Sequence, residues 1–256
     1  MKRLRRIFQA DGKVVIIAMD HGMGLSVNPA LDHTGEILKA IVAGGADAVL
    51  VSYGIAVKYA DILQDVGVIV RADGGGSMLT SGNNCPRLLY TVEDALRIGA
   101  DAVACMGFPG APYEHDNMQN LAALVKEGMS WGVPVMAEML PGGFSPEPPS
   151  TPENVRLVAR TGCEYGASII KTTYTGTPAE FKKVIEASYQ PVVILGGEAT
   201  SDLPSLFDCI EKAISVGAAG VAIGRNVWKH DNPEAVTRAL VDLVHNNKKA
   251  IDIKGL

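Results

Sequence analysis

Lys171 closes the short apolar, β-branched run Ala167-Ser168-Ile169-Ile170, and a polar, turn-rich stretch from Thr172 to Pro178 follows it. The run reads as a buried strand and the stretch as a loop leading into a helix. A lysine at the carboxyl end of a buried parallel strand stands where α/β enzymes place their reacting groups. Burial disfavours the ammonium form, and an amine must be neutral to attack a carbonyl. The bland alternative is a lysine that only snorkels out of a strand end. Other reactive types fall at comparable places. Asp20 follows VVIIAM at 14–19 and is a general acid/base candidate or an ion-pair partner. Glu138 ends the run at 133–138, next to Lys171 in strand order, and serves either as a proton shuttle or as a counter-ion for the lysine. Gly196-Gly197 and Gly224-Arg225 follow the runs at 192–195 and 220–223. Unobstructed backbone N–H groups near a helix start, with a guanidinium fork beside them, suit a phosphate; tight turns alone are the alternative reading.

Eight apolar runs must position these residues: 14–19, 48–51, 67–72, 102–106, 133–138, 167–171, 192–195 and 220–223. Amphipathic segments at 33–43, 117–131, 153–164, 179–188, 203–216 and 233–245 lie between or after them. Thr151-Pro152-Glu153, Thr177-Pro178-Ala179 and Asn232-Pro233-Glu234 each offer a capping side chain and then proline at the first helical position. Thr91 to Asp94 has capping-box character, and glycines near 44–46, 99 and 217 close helices. Near-continuous apolar strands separated by helices mean a parallel sheet covered on both faces. Eight such units predict an α/β fold, a (β/α)8 TIM barrel, as one domain over 1–256. In a barrel all the strand ends listed above share one mouth, and Asn226-Val227-Trp228-Lys229 supplies a short helix beside it. An open doubly wound sheet is the rival, but Asp20-His21-Gly22-Met23-Gly24-Leu25 does not complete its G-x-G-x-x-G turn.

Composition narrows the partners. The chain has 256 residues, 47% hydrophobic and 20% charged, with a net charge of −5, which argues against a general nucleic-acid or membrane-surface binder. It leaves room for an anionic small molecule. Cysteines 85, 105, 163 and 209 form no C-x-x-C pair, so neither zinc nor a disulfide framework is expected and a reducing cytoplasm is the default. His21 invites a metal reading. The other histidines, 33, 115, 230 and 245, do not gather at strand ends, and no metal is expected. The basic start, Met1 to Arg6, lacks a following apolar segment, and no run is long enough to span a membrane.

Together these residues carry a family resemblance. Ala18-Met19-Asp20-His21-Gly22, Lys171 with Tyr174-Thr175-Gly176, Gly196-Gly197 and Ala222-Ile223-Gly224-Arg225-Asn226-Val227-Trp228 resemble the class I, Schiff-base aldolases of the DeoC/FbaB type, in particular the archaeal-type fructose-bisphosphate aldolases. The resemblance implies Lys171 as the imine-forming lysine, Asp20 as its assistant, and the glycines with Arg225 as the holders of a substrate phosphate. It further implies a barrel, no metal or cofactor, a phosphorylated ketose as substrate and a homo-oligomer. Two departures stand out. The family carries a Tyr-Pro-Arg-Gly-Gly-like segment after strand five, and here Met139 is read at the tyrosine, which leaves Glu138, Tyr174 or water to move the proton. The family also carries a lysine two places after the double glycine, where this chain has Ala199. Schiff-base chemistry survives both changes, while fructose 1,6-bisphosphate becomes a doubtful substrate. A phosphate-binding barrel isomerase without imine chemistry and a non-catalytic sugar-phosphate binder are the competing readings.

Overall fold

All eight expected strands form, and they close on one another in the computed structural model, which describes residues 1–23, 28–77, 79, 85–197 and 202–253. They are β1 (Val14–Met19), β2 (Ala48–Val51), β3 (Gly67–Arg71), β4 (Ala102–Gly107), β5 (Val135–Met139), β6 (Ile169–Thr173), β7 (Val192–Leu195) and β8 (Gly220–Ile223). Each pairs in parallel with its neighbours in sequence, and β8 returns to β1 to close the barrel. Closure there depends on Gly220: a Cβ at this position would meet Val14 O at 1.9 Å, and its φ of +143° is one that L side chains rarely adopt. The sequence did not foretell a short antiparallel pair, Asp73–Gly74 with Arg87–Leu88, in the connection after β3.

Both faces of the strands are buried, which explains their near-continuous apolar sequences. Alternate residues divide the core in two. Ile16, Leu50, Ile69, Met136, Ile169 and Val193 point inward and fill the barrel. Their neighbours Ile17, Val49, Val70, Val135, Ile170 and Ile194 point outward and pack under the helices. The N-terminal segment completes the inner cluster: Ile7 is fully buried in it, with Leu4 and Phe8 packed alongside.

The helices are α1 (Thr34–Ala43), α2 (Tyr53–Lys58), α3 (Val92–Arg97), α4 (Glu114–Trp131), α5 (Pro152–Glu164), α6 (Pro178–Ala187), α7 (Leu203–Ser215), α8 (Arg225–Trp228) and α9 (Pro233–Val244). Their starts follow the capping chemistry. Thr91 and Thr177 close reciprocal capping boxes with Asp94 and Glu180, and Thr151 accepts from Asn154 N at 3.2 Å. Helix α4 begins one turn earlier than expected. Helix α2 has no apolar periodicity long enough to announce it and is held by the Ser52 cap. Among the described residues no helix is long and apolar enough to cross a membrane.

Candidate active site

Strand register brings the reactive residues together. Glu138 pairs with Lys171 across β5 and β6, one inward step beyond the pair Met136–Ile169. Because side chains alternate, both face the barrel interior just above its apolar filling. Lys171 does not close its strand: β6 continues through Thr172 and Thr173, so the lysine sits inside the barrel rather than at its lip. Its side chain is 6% exposed, and its Nζ lies 2.9 Å from Glu138 Oε1. Of the two readings of Glu138, the geometry is that of a counter-ion touching the amine.

Arg71, which the sequence reading passed over as the tail of an apolar run, organises the cluster. It is 1% exposed. Its Nε donates to Asp20 Oδ2 at 2.8 Å, its Nη1 faces Asp73 Oδ1 at 3.5 Å, and its Nη2 donates to Glu138 Oε2. A buried guanidinium is tolerable only when charges and hydrogen bonds surround it, and three carboxylates do so here. Burial alone would raise the Asp20 carboxyl, but Arg71, Lys171 and His21 outweigh it and hold the group at about 2. For Glu138, burial is likewise overcome by Lys171 and Arg71, which keep it below its ordinary value. Asp73 goes the other way: burial prevails over Arg71 and raises it, while its Oδ2 accepts from Met106 N at 2.8 Å.

Asp20, Glu138, Lys171, Gly196, Gly197, Gly224 and Arg225 all line one cavity of about 300 Å³ at the carboxyl ends of the strands. The lysine and its carboxylates form the floor. Gly196 and Gly197 follow β7, and Gly224 and Arg225 follow β8, where α8 begins as expected. Asn226 Nδ2 donates to Gly196 O at 3.0 Å and ties the two turns together. Gly224 has a packing reason as well: a Cβ there would meet Ala18 O and His21 Cε1, both at 2.6 Å. Met106, Leu140 and Phe144 make an apolar wall.

Two readings need correction. Met139 is fully buried in the outer layer, and its Sδ lies so close to Gly107 that a Cβ there would clash with it at 2.4 Å. Since Glu138 points inward, its neighbour must point outward. Leu140, the residue before Pro141, faces the cavity instead. Tyr174 does not line the cavity; it packs against Phe181 of α6 with ring centroids 4.8 Å apart. His21 lines the cavity beside Asp20, at the strand end where the sequence puts it. Among the described residues no group of three or more His, Cys, Asp or Glu is arranged to hold a metal ion. Ala199 lies outside the described residues.

Comparison with known proteins points the same way. The DeoC/LacD family aldolase model matches residues 14–230. A 2-amino-3,7-dideoxy-D-threo-hept-6-ulosonate synthase of Halobacterium salinarum is 36% identical over 249 residues, covering 96% of this chain and 91% of that one. A class 1 fructose-bisphosphate aldolase of Thermoproteus tenax is 32% identical over 254 residues, covering 97% and 95%. A solved archaeal fructose-1,6-bisphosphate aldolase, with its catalytic lysine covalently bound to the carbinolamine intermediate of its substrate, superposes with a TM-score of 0.86. It is 31% identical and covers 95% of this chain and 98% of that one.

Proposed function

The chain belongs to the DeoC/LacD family of aldolases, and from that premise we propose that it makes or breaks a carbon–carbon bond in a phosphorylated ketose through an imine on Lys171. The carrying observation is the placement of Lys171 Nζ, 2.9 Å from Glu138 Oε1, on the floor of a cavity whose rim holds Gly196, Gly197, Gly224 and Arg225. Glu138, the ionised counter-ion, anchors the amine, and the ammonium proton passes to solvent. The freed amine attacks the ketone carbon, water leaves, and the protonated imine draws electrons from the adjacent carbon–carbon bond. An aldehyde departs, and the enamine left on Lys171 is protonated and hydrolysed. Arg225 and the glycine N–H groups hold the phosphate, and the rigid cluster around Arg71 keeps amine and carboxylate in position.

The cavity supports a substrate with a single phosphate. Its lining guanidinium and ammonium groups, among the described residues, are Arg71, Lys171 and Arg225. Arg71 is given to three carboxylates and Lys171 to the chemistry. The undescribed residues before the C-terminal Lys254–Leu256, at 24–27, 78, 80–84 and 198–201, carry no lysine or arginine. Three coarser proposals accompany this reading. The whole of 1–256 is one domain. Its compartment is a reducing cytoplasm, in keeping with four free thiols. The working form is a homo-oligomer, for which the half-exposed Met129 and Trp131 at the end of α4 offer an apolar contact.

Borohydride reduction followed by mass spectrometry tests the central reading. The probes are dihydroxyacetone phosphate, fructose 1-phosphate and fructose 1,6-bisphosphate. At least one should leave a reduced adduct on Lys171, and Lys171→Arg should leave none, because a guanidinium cannot form the imine. Turnover of a probe without any adduct, or an adduct on another lysine, would overturn it.

A further inference from the structure

Resting on the imine reading above, we propose that the imidazole of His21 is the acid–base group of the cleavage step. It takes the proton of the substrate hydroxyl while that oxygen becomes a carbonyl and the breaking bond's electrons pass to the imine. It then returns the proton to the enamine carbon, so the side chain ends as it began.

The side chains able to carry charge in the cavity lining, among the described residues, are Asp20, His21, Arg71, Glu138, Lys171 and Arg225. The two guanidiniums do not give up a proton in proteins, and Lys171 is occupied as the imine. Asp20 accepts from Arg71 at 2.8 Å and Glu138 is bonded to both Arg71 and Lys171. Both carboxylates are held in the ionised form and are correspondingly weak bases. Leu140 has no proton to move, and Tyr174 faces α6. His21 remains.

Its setting suits the task. The side chain is 15% exposed, and its Nδ1 lies 3.8 Å from Asp20 Oδ1, near enough to steady a positive ring but beyond a hydrogen bond. Among the described residues this buried nitrogen has no hydrogen-bond partner. The ring is fixed from the other side by Trp228, edge to face at 5.3 Å and 75°, and Trp228 is itself anchored by Nε1 donating to Ala18 O at 3.1 Å. Absence of a side chain at Gly224 makes the space the ring occupies. The charged groups that act on it are Asp20 after β1, Glu138 on β5, Lys171 on β6 and Arg225 on α8. Burial first, then Lys171 and Arg225, lower its pKa below the ordinary 6.5 against the pull of the two carboxylates. The imidazole is therefore neutral and able to accept at neutral pH.

The test uses the intact protein with the same three probes. In the parent, the rate for any probe turned over should fall on the acid side with a midpoint below 6.5, the ordinary imidazole value. His21→Gln and His21→Asn should reduce turnover about 10²–10⁴-fold, flatten that acid limb, and still give the borohydride adduct on Lys171. Turnover within a few-fold of the parent, an unchanged acid limb, or loss of the adduct in a variant with parent-like circular dichroism would overturn the role. A parent that turns over probes with no acid limb overturns it even if neither variant folds. A parent that gives no adduct with any probe removes the imine reading itself and this proposal with it.

Discussion

Arg71→Met removes the charge at the centre of the floor while keeping a long apolar stem. Three carboxylates then lose their shared partner: Asp20 at 2.8 Å, Asp73 at 3.5 Å and Glu138, which keeps only Lys171. Breaking a buried ion pair by deleting one member costs about 3–5 kcal/mol, because the orphaned charges stay in a poor solvent. Part of that is visible in Asp20. Its displacement from 3.8 to about 2 corresponds to about 2 kcal/mol of preference for the ionised, folded form. Its folded value is depressed, so the contribution is present above 3.8 and is lost as pH falls through about 2. Without Arg71, only Lys171 and His21 oppose burial, so the Asp20 carboxyl rises from its parent value and the variant gains relief as it protonates. Destabilisation of 3–5 kcal/mol lowers the melting temperature by roughly 6–20 °C in a chain of this size. The gap between parent and variant should be widest near pH 7 and should narrow at about pH 4. Thermal unfolding at both pH values reads it. A melting temperature within about 2 °C of the parent at neutral pH, or a gap that ignores pH, would refute the view of Arg71 as the electrostatic keystone.

Three further outcomes are expected. Arg225→Ala should weaken a phosphorylated ketose about ten- to a hundredfold, or roughly 1.5–3 kcal/mol, and leave its unphosphorylated analogue nearly unaffected; equal losses would make the residue structural. Met139→Tyr should cost about 1–3 kcal/mol by overpacking against Gly107 and Gly162 without adding activity, whereas Leu140→Tyr should raise fructose 1,6-bisphosphate cleavage above the parent, and the reverse pattern in kinetics and melting would contradict the side-chain placement. His245 bridges Asp11 at 2.8 Å and Asp47 at 2.9 Å, and the hydrogen bond to Asp47, with that to Asp11, raises its pKa above 6.5 despite burial. That stabilisation is complete below 6.5 and lost as pH rises through the raised value, so His245→Gln should cost roughly 1–3 kcal/mol near pH 6 and much less in alkali by urea unfolding.

Strand positions were legible because a strand buried on both faces is almost wholly apolar, and helix starts because capping needs particular side chains at particular offsets. Lys171 was legible for the opposite reason: a long cation at the end of the apolar run Ala167-Ser168-Ile169-Ile170 is conspicuous. Arg71 carried the same signal and was missed, since GVIVRA reads as a strand whose last residues have reached solvent. Parity would have found it. Ile69 and Arg71 share a face, as do Met136 and Glu138, and a face that buries the first of each pair buries the second. The same rule turns Met139 outward and Leu140 inward. Alignment by motif alone loses that one-residue distinction, and a shift of one reverses every side chain. Asp73 lies two residues from Arg71, but no local pattern announces that Asp20 and Glu138 reach it too, because their strands come together only when the sheet closes. His21 was visible in the sequence but judged by its fellow histidines rather than by its neighbours in space.

The N-terminal segment has a consequence for traffic. With Ile7 sunk among the inward side chains and Leu4 and Phe8 beside it, the barrel of the described residues is a cul-de-sac at that end. In the proposed reaction, a molecule cleaved on Lys171 would leave one fragment bonded to the cul-de-sac's end and the other between it and the door. Departure would then be sequential: the untethered aldehyde leaves first, and the tethered ketone follows once water has hydrolysed its link to the lysine.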